Sequence, residues 1–174
     1  MAQPFFEFKI LLVGDPAVGK TSLILRFVED RFEKEYKASI GVDIMSKTIT
    51  IEDKVARLVI WDIASQEKFK RFRSSFYLQA NGILVVFDLT RKETLESVDD
   101  WVQEVREHTE SIEMVLIGNK SDLITQRQIT PDIVQKWVSR HGCPYIETSA
   151  LKGEAVEEAF QQLTHIIAAK TYND

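Results

Sequence analysis

Cysteine, histidine and long apolar runs are all scarce in this sequence. The 174 residues contain one cysteine, Cys143, and three histidines, so neither an intrachain disulfide framework nor a Cys/His metal cluster is expected. The longest apolar run, residues 83–87, falls far short of the roughly 20 residues that span a bilayer. The first residues lack a signal-peptide core, and Ala2 stands where N-myristoylation needs glycine. We therefore expect a cytoplasmic protein.

Positive charge is also in deficit. The chain has 27 acidic and 22 basic residues, which give a net charge of −5. This charge argues against a nucleic-acid-binding protein, because such proteins gain affinity by neutralising phosphates with lysine and arginine. The length is that of a domain with a single core. We predict that residues 1–174 form one domain and that the protein is a monomer.

Strand-like and helix-like segments alternate along the chain. The segments with strand composition are residues 6–13, 40–51, 54–62, 83–88, 114–118 and 145–148. The second and third of them are close enough to form an antiparallel hairpin. Helical patterns are found at residues 23–28, 131–140 and 156–167, and a weaker one at residues 66–77. A further helix is predicted where Leu95, Val98, Val102 and Val105 are spaced to form one apolar face. This alternation predicts an α/β fold with a mixed, mostly parallel sheet of about six strands, helices on both faces and a ligand beyond the carboxyl ends of the parallel strands.

The first predicted strand leads into Gly-Asp-Pro-Ala-Val-Gly-Lys-Thr at residues 14–21. G-x-x-x-x-G-K-T between a strand and a helix is typical of a phosphate-binding P-loop. Its backbone N–H groups and the following helix N-terminus attract phosphate oxygens. Lys20 is expected to reach the β- and γ-phosphates, and the Thr21 hydroxyl to ligate the Mg²⁺ that they share. The alternative is a glycine-containing turn with a chance Lys-Thr pair.

Two further loops belong to the same edge of the predicted sheet. Asn-Lys-Ser-Asp occupies residues 119–122, and its Asp122 carboxylate can accept two hydrogen bonds from guanine that adenine does not offer. Asn119 is expected to contact the base and brace neighbouring loops, while the Lys120 stem lies against the ring. A polar turn is the alternative for this motif alone. Residues 147–151, after the next strand, supply a third loop whose amides can close on the base.

These motifs, with Trp-Asp-Ile-Ala-Ser-Gln at residues 61–66, follow the order found in Ras-like small GTPases, which the chain resembles over essentially its whole length. Residues 39–43, 87–90 and 147–160 make it most similar to the Rab branch. The resemblance implies an Mg²⁺-dependent switch that binds GTP and GDP, hydrolyses GTP slowly and signals to effectors in membrane traffic or a related process. It also implies that a partner supplies an arginine, which accelerates hydrolysis by about 10³ to 10⁵.

The resemblance also assigns roles to individual residues. Thr21 and Ser39 would ligate Mg²⁺, Asp62 would hold a metal-bound water, and Gln66 would orient the attacking water. Phe32 would cover the guanine ring, or alternatively fold onto the core. The residues expected to bind the nucleotide are Gly14, Asp15, Ala17, Val18, Gly19, Lys20, Thr21, Ser22, Phe32, Ser39, Ser65, Asn119, Lys120, Asp122, Ser149, Ala150 and Leu151.

The chain departs from the family pattern at the site itself. Ser65 stands where the D-x-x-G motif has glycine, and its restricted dihedral angles predict a weakened closure in the GTP state. Ser39 replaces threonine, which predicts a less rigid loop. Pro16 removes one N–H donor, and its ring, beside Gln66 and an incoming arginine, is expected to crowd the transition state of hydrolysis. Ala17 must adopt a conformation that glycine takes freely.

Effectors, exchange factors and GTPase-activating proteins of this family bind two segments, which correspond to residues 32–44 and 61–77. An apolar partner patch is expected at Ile44, Trp61 and Phe76, with core packing as the alternative. A basic cluster is expected at Lys68, Lys70, Arg71 and Arg73. It predicts a partner with an acidic surface or an anionic membrane, although solvation alone is the commoner explanation of such a cluster.

The sequence leaves other functions open. Ser65 favours a nucleotide-bound interaction module that scarcely switches, and the P-loop alone permits a nucleotide kinase or an ATPase, against which Asp122 argues. Because residues 170–174 contain no cysteine that accepts a prenyl group, membrane contact is expected only through a partner or through a lipidated tail absent from this chain.

Overall fold

A six-stranded sheet organises the computed structural model, which describes residues 5–35 and 37–173. Its strands are β1 (Phe5–Val13), β2 (Val42–Ile51), β3 (Lys54–Ile63), β4 (Gly82–Asp88), β5 (Glu113–Asn119) and β6 (Tyr145–Thr148). They lie in the order β2-β3-β1-β4-β5-β6, with β2 antiparallel to β3 and all other neighbours parallel. The predicted mixed, mostly parallel sheet is confirmed. Ala2, Tyr36 and Asp174, which fall in segments discussed above, lie outside the described residues.

Helices cover both faces of the sheet, as predicted. They are α1 (Lys20–Glu29), α2 (Lys70–Tyr77), α3 (Lys92–Glu96), α4 (Val98–Arg106), α5 (Pro131–His141) and α6 (Val156–Asn173). On one face α1 meets α6, where the rings of Phe27 and Phe160 stack with their centroids 4.0 Å apart. On the other face α4 and α5 bury Trp101 and Trp137. Within the described ranges, no helix is both long and apolar enough to cross a bilayer.

Strand β4 lies at the centre of both cores because its side chains alternate between the two faces. Leu84 and Val86 pack with α1 and α6, whereas Ile83, Val85 and Phe87 pack with α4 and α5. A strand covered on both sides has no solvent-facing positions, which explains why its sequence is a continuous apolar run. Each such buried side chain contributes about 1.5–3 kcal/mol through the area removed from water. This burial fixes the strand ends that carry the site loops.

Most element boundaries differ from the sequence predictions by one or more residues, and α6 continues to Asn173, beyond the predicted end at residue 167. The hairpin is confirmed, with Ile51 paired to Lys54, but β2 begins two residues late because Gly41 has a φ of 72° and breaks the strand. The single helical face predicted from Leu95 to Val105 is divided between α3 and α4. Both helices nevertheless bury their apolar residues in the same core.

Candidate functional site

Loops at the carboxyl ends of the parallel strands surround a cavity of about 350 Å³. The predicted site residues that line this cavity are Ala17, Gly19, Lys20, Thr21, Ser22, Phe32, Ser39, Ser65, Gln66, Asn119, Lys120, Asp122, Ala150 and Leu151. The remaining ones lie behind the lining, and each contacts a lining residue: Gly14, Asp15, Val18, Asp62 and Ser149. The structure therefore brings together all the residues that the motifs single out.

Two glycines allow the loop between β1 and α1 to fit its neighbours. A Cβ on Gly14, whose φ is 146°, would lie 2.1 Å from the Val86 carbonyl oxygen. A Cβ on Gly19, whose φ is 103°, would lie 2.2 Å from Asn119 Nδ2. Ala17 has a φ of 62° without being glycine, so its backbone is strained as predicted from the sequence. The loop is therefore tightly wrapped, with little space for side chains on its inner side.

The side chain of Lys20 folds back and binds the carbonyl oxygens of its own loop. The residue is 7% exposed, and its Nζ donates to the carbonyl oxygens of Gly14 and Asp15, both at 2.9 Å, and to Ser65 Oγ at 3.3 Å. Burial lowers the pKa of Lys20 to about 8, although the charges of Asp62 and Asp15 oppose the shift. The hydrogen-bond partners of this buried ammonium group are all uncharged oxygens, so an anion in the adjacent cavity would be bound favourably.

Three oxygen-bearing side chains meet beside Lys20. The Oγ atoms of Thr21 and Ser39 lie 3.1 Å apart. Asp62 Oδ2 accepts hydrogen bonds from the Thr21 hydroxyl and, at 3.4 Å, from the Ser39 hydroxyl. Its other oxygen, Oδ1, is buried and has no hydrogen-bond partner among the described residues. Burial raises the pKa of Asp62, against the hydrogen bond from Thr21 and the charge of Lys20.

This cluster fits a hard divalent cation. Mg²⁺ binds through carboxylate and hydroxyl oxygens and keeps several of its waters. The unpartnered Asp62 Oδ1 is an acceptor that a metal-bound water can satisfy. The neighbouring hydroxyls of Thr21 and Ser39 supply two neutral oxygen ligands without adding charge.

Asn119, at the end of β5, joins two other loops. Its Nδ2 donates to the Val18 carbonyl at 2.9 Å. Its Oδ1 accepts the Thr148 hydroxyl at 3.0 Å and the Ala150 N–H at 3.4 Å. Because both ends of the buried amide are engaged, Asn119 fixes the P-loop against the loop after β6.

Lys120 and Asp122 line the opposite end of the cavity. Lys120, whose φ is 68°, donates from Nζ to the Ala17 carbonyl at 2.9 Å. Asp122 Oδ1 accepts the Ser149 hydroxyl at 2.6 Å, and that hydroxyl oxygen accepts the Lys152 N–H at 3.0 Å. The Asp122 carboxylate is therefore held in one orientation at the cavity wall.

Asp88 supports the site from beneath, a role that was not predicted from the sequence. It is 1% exposed and pairs with Lys120 at 2.7 Å and with Arg91 at 3.2 Å. Burial alone would raise the pKa of Asp88, but hydrogen bonds from Lys120 and Thr90 outweigh it and lower that pKa. Arg91 also donates to the Pro16 carbonyl at 2.8 Å. Pro16 is exposed and does not line the cavity, and the crowding of the transition state by its ring stays a prediction.

Arg26 on α1 is a second residue that the sequence reasoning missed. Its Nε donates to the Ala150 carbonyl at 2.9 Å and its Nη2 to the Leu151 carbonyl at 2.8 Å. Asp30, one turn further along the chain, pairs with the same guanidinium at 3.1 Å. Since the contacts join positions more than 120 residues apart, no local sequence signal reveals them. Arg26 clamps the loop after β6 against α1.

The two segments that resemble switch regions occupy the open side of the cavity. Phe32 is half-buried, lines the cavity and packs against the core that includes Phe27, so both roles considered for it have support in its position. Gln66 lines the cavity, and its carbonyl accepts a hydrogen bond from Arg73 at 2.9 Å. Ser65 has no left-handed φ, so its described conformation does not require glycine.

The predicted basic cluster is smaller than expected. Arg73 is 1% exposed and forms a forked ion pair with Glu104 on α4, so its inclusion in a surface cluster was wrong. Lys68, Lys70 and Arg71 remain exposed. Their charge is partly offset where Lys70 approaches Glu67 at 3.6 Å.

Comparisons with known proteins agree with this geometry. The family model described as "Ras family" matches residues 9–169. The chain is 40% identical over 170 residues to Ras-related protein YPTC6 of Chlamydomonas reinhardtii, covering 95% of this chain and 79% of that protein. It is 39% identical over 165 residues to Ras-related protein Rab-13 of Bos taurus, covering 94% and 81%. It is 40% identical over 159 residues to Ras-related protein RABA4b of Arabidopsis thaliana, covering 91% and 71%.

Proposed function

Because this chain belongs to the Ras family of small GTPases and to its Rab branch, we propose that it is a molecular switch in membrane traffic or a related process. As a member of the family it binds GTP and GDP with Mg²⁺, hydrolyses GTP and interacts with regulators and effectors. One observation carries our assignment of the site. The buried Lys20 ammonium lines the cavity, and behind the lining Asp62, bonded to Thr21 through Oδ2, has an Oδ1 without a hydrogen-bond partner among the described residues. A phosphate anion with its hydrated cation satisfies both.

We assign the reaction to the described side chains as follows. Lys20 and the P-loop N–H groups bind the phosphates, and Asp122 accepts the guanine donors. Thr21 and Ser39 would hold Mg²⁺ and Asp62 one of its waters, and the ion would neutralise the charge between the β- and γ-phosphates. Gln66 orients the water that attacks the γ-phosphorus. The bond to the β–γ bridging oxygen breaks, which yields GDP and inorganic phosphate, and the proton of the water ends on the phosphate product.

Intrinsic hydrolysis is proposed to be slow. Within the described part of the chain, the cavity lining contains lysines but no arginine. An arginine that meets the developing charge is worth about 10³ to 10⁵ in rate. A GTPase-activating partner that inserts one would therefore end the active state.

Partners are proposed to bind residues 32–44 and 61–77. Ile44 is 52% exposed and lies opposite Trp61 in the hairpin, and the rings of Trp61 and Phe76 lie 5.9 Å apart. The exposed cations Lys68, Lys70 and Arg71 belong to the same segment as Trp61 and Phe76 and would complement an acidic partner. We further propose that residues 1–174 form one domain, that this domain is a monomer and that it does not bind nucleic acid. Membrane contact would come from a partner or from a lipidated tail.

The assignment is tested by exchanging nucleotides on the purified protein. A fluorescent GDP analogue should be displaced by GTP or GDP but not by ATP, and EDTA should accelerate its release because Mg²⁺ is removed. Displacement by ATP at equal concentration would contradict the guanine assignment, and release that ignores EDTA would contradict the metal site.

Arg26→Met should accelerate guanine-nucleotide dissociation about tenfold, since the lost hydrogen bonds to the carbonyls of residues 150 and 151 are worth about 1.4 kcal/mol together. The measurement is the decay of fluorescence when a bound fluorescent GDP is chased with excess GDP. Arg57→Met is the matched control, because Arg57 pairs with Glu7 at the surface and should leave the rate unchanged. Equal rates of GDP dissociation in Arg26→Met and the wild type would show that the contacts of Arg26 with residues 150 and 151 do not slow nucleotide release.

A second function is favoured by one contact. The Ser65 hydroxyl accepts a hydrogen bond from Lys20 at 3.3 Å, where the family glycine offers none. This contact ties the segment before Gln66 to the P-loop. A chain held in this state would serve as a nucleotide-bound interaction module more than as a timer.

Ser65→Gly should raise the single-turnover rate of GTP hydrolysis about tenfold, because it removes both the hydroxyl and the restriction on the backbone. Ser65→Ala separates the two effects, since alanine lacks the hydroxyl but keeps the Cβ. Faster hydrolysis in both variants assigns the delay to the bond with Lys20, whereas an effect of glycine alone assigns it to the backbone. A wild type without turnover that glycine rescues would favour the interaction module, and no change in either variant would exclude a limiting role for Ser65.

A further inference from the structure

An arginine lies inside the protein next to the proposed catalytic glutamine. The side chain of Arg73 on α2 is 2% exposed. Its Nε and Nη2 donate to the two oxygens of Glu104 on α4 at 2.8 and 2.9 Å, and its Nη1 donates to the Gln66 carbonyl at 2.9 Å. A guanidinium group engaged on all three nitrogens has one orientation only. The Gln66 carbonyl is thus attached to a rigid donor.

Glu104 is itself fixed by a second donor. The Tyr77 hydroxyl donates to Glu104 Oε1 at 2.6 Å. Burial alone would raise the pKa of Glu104, but the hydrogen bonds from Arg73 and Tyr77 outweigh it and lower that pKa. The carboxylate is therefore ionised at neutral pH and balances the buried Arg73 charge.

The same helix holds the P-loop. Trp101 lies one turn before Glu104 on α4, and its ring centre is 4.8 Å from the Arg73 guanidinium carbon. Trp101 Nε1 donates to Asp15 Oδ1 at 2.8 Å, and the Asp15 carbonyl accepts Lys20 Nζ at 2.9 Å. Helix α4 therefore contacts the P-loop directly through Trp101 and is connected to the Gln66 carbonyl through Glu104 and Arg73.

We propose that Arg73 is a positioning residue for GTP hydrolysis, which holds the Gln66 main chain at a fixed distance from the P-loop through Glu104 and Trp101. The inference rests on the proposed role of Gln66. That residue precedes a 3₁₀ turn (Glu67–Phe69) and has an open cavity on its other side. Its side chain can orient a water only if its backbone is held, since a displacement of about 1 Å costs about 100-fold in rate.

A purely structural role is the competing explanation. Buried ion pairs often fix a helix and contribute nothing to chemistry. The two explanations differ in which contacts matter. A structural role depends on every bond to Glu104, including that of Tyr77, whereas a positioning role depends on the bond between Arg73 and Gln66.

Arg73→Lys and Tyr77→Phe separate these explanations. Lysine keeps the charge for Glu104 but cannot span both Glu104 and the Gln66 carbonyl, because its three donors lie on one nitrogen. Tyr77→Phe is the matched control, since it removes one bond to Glu104 and leaves Gln66 untouched. With GTP bound before the reaction is started, Arg73→Lys should hydrolyse it about tenfold more slowly or worse. Tyr77→Phe should stay within about twofold of the wild type, and GTP dissociation should be unchanged in both variants.

The proposal is overturned if Arg73→Lys hydrolyses GTP within about twofold of the wild type, or if Tyr77→Phe slows hydrolysis equally. If Arg73→Lys does not fold, Arg73→Met/Glu104→Met removes both charges, a change that buried pairs often tolerate, and should show the same loss. Absence of turnover in the wild type would refute the proposed hydrolytic function instead. In that case the role of Arg73 is tested by amide hydrogen exchange of residues 65–69 with a GTP analogue bound. Exchange about tenfold faster in Arg73→Lys than in Tyr77→Phe supports the positioning role, and equal exchange in the two variants overturns it.

Discussion

Asp122→Asn should weaken GTP binding about 1,000-fold, because two charge-assisted hydrogen bonds of about 2 kcal/mol each are lost. Asparagine presents one donor and one acceptor where aspartate presents two acceptors. It can therefore accept from the ring N–H of xanthine and donate to the xanthine oxygen that replaces the exocyclic amine. The Ser149 hydroxyl, now 2.6 Å from Asp122 Oδ1, can still donate to the asparagine carbonyl and keep its orientation. The variant should thus prefer xanthosine triphosphate.

The measurement is a competition between GTP and xanthosine triphosphate for a fluorescent nucleotide on the wild type and the variant. Asp53→Asn is the matched control, since Asp53 lies exposed in the turn between β2 and β3. It should leave both affinities unchanged. A variant that loses GTP without gaining xanthosine triphosphate would indicate a disturbed loop, and one that still prefers GTP would refute the role of Asp122.

Lys20→Met should reduce GTP affinity about 1,000-fold while stabilising the nucleotide-free protein. The affinity falls because the phosphates lose a buried cation of a kind worth several kcal/mol. The free energy of unfolding of the nucleotide-free protein should increase, because burial of the charged Lys20 side chain lowers its pKa from 10.5 to about 8. In the wild type this burial costs up to about 3 kcal/mol of stability, which methionine would not. Nucleotide titration measures the first effect and urea unfolding the second. Lys92→Met, at a surface lysine, is the control. An affinity for GTP in Lys20→Met equal to that of the wild type would contradict the phosphate-binding role of Lys20.

The sign of the pH dependence follows from the same shift. The folded-state pKa of Lys20 is about 8 and its ordinary value 10.5, so the unfolded state binds more protons between these two pH values. The stability of the nucleotide-free wild type should therefore rise between pH 8 and 10.5. This added stability is present in full above the ordinary pKa of 10.5 and is lost as the pH falls through the folded-state pKa of about 8. Lys20→Met should lack this rise, which isolates Lys20 from other groups that titrate there.

The sequence predicted the sheet and the loops of the site because both depend on local patterns. Strand β4 is buried on both faces and is therefore a continuous apolar run. The P-loop and residues 119–122 have recognisable spacings because their backbones must meet phosphates and a base at fixed positions. Gly19 shows how narrow this constraint is, since a Cβ there would overlap Asn119.

The supports of the site could not be predicted, because they depend on contacts between distant segments. Arg26 contacts the loop after β6 across 124 positions of sequence. Arg73 resembles a surface cation in the sequence, and only its partner Glu104, 31 positions away, places it inside the protein. Asp88 was visible as part of a family-like stretch, but its pairing with Lys120 requires the two strand ends to be neighbours.

A guanine nucleotide should accompany the protein through purification, and identifying that nucleotide tests the chemical class of the ligand. Denaturing the freshly purified protein and separating the released nucleotides by ion-exchange chromatography identifies the base and the number of phosphates. We expect GDP or GTP, at close to one per chain and released by EDTA treatment. Adenine nucleotides at that stoichiometry would contradict the assignment of Asp122 and with it the guanine-nucleotide site.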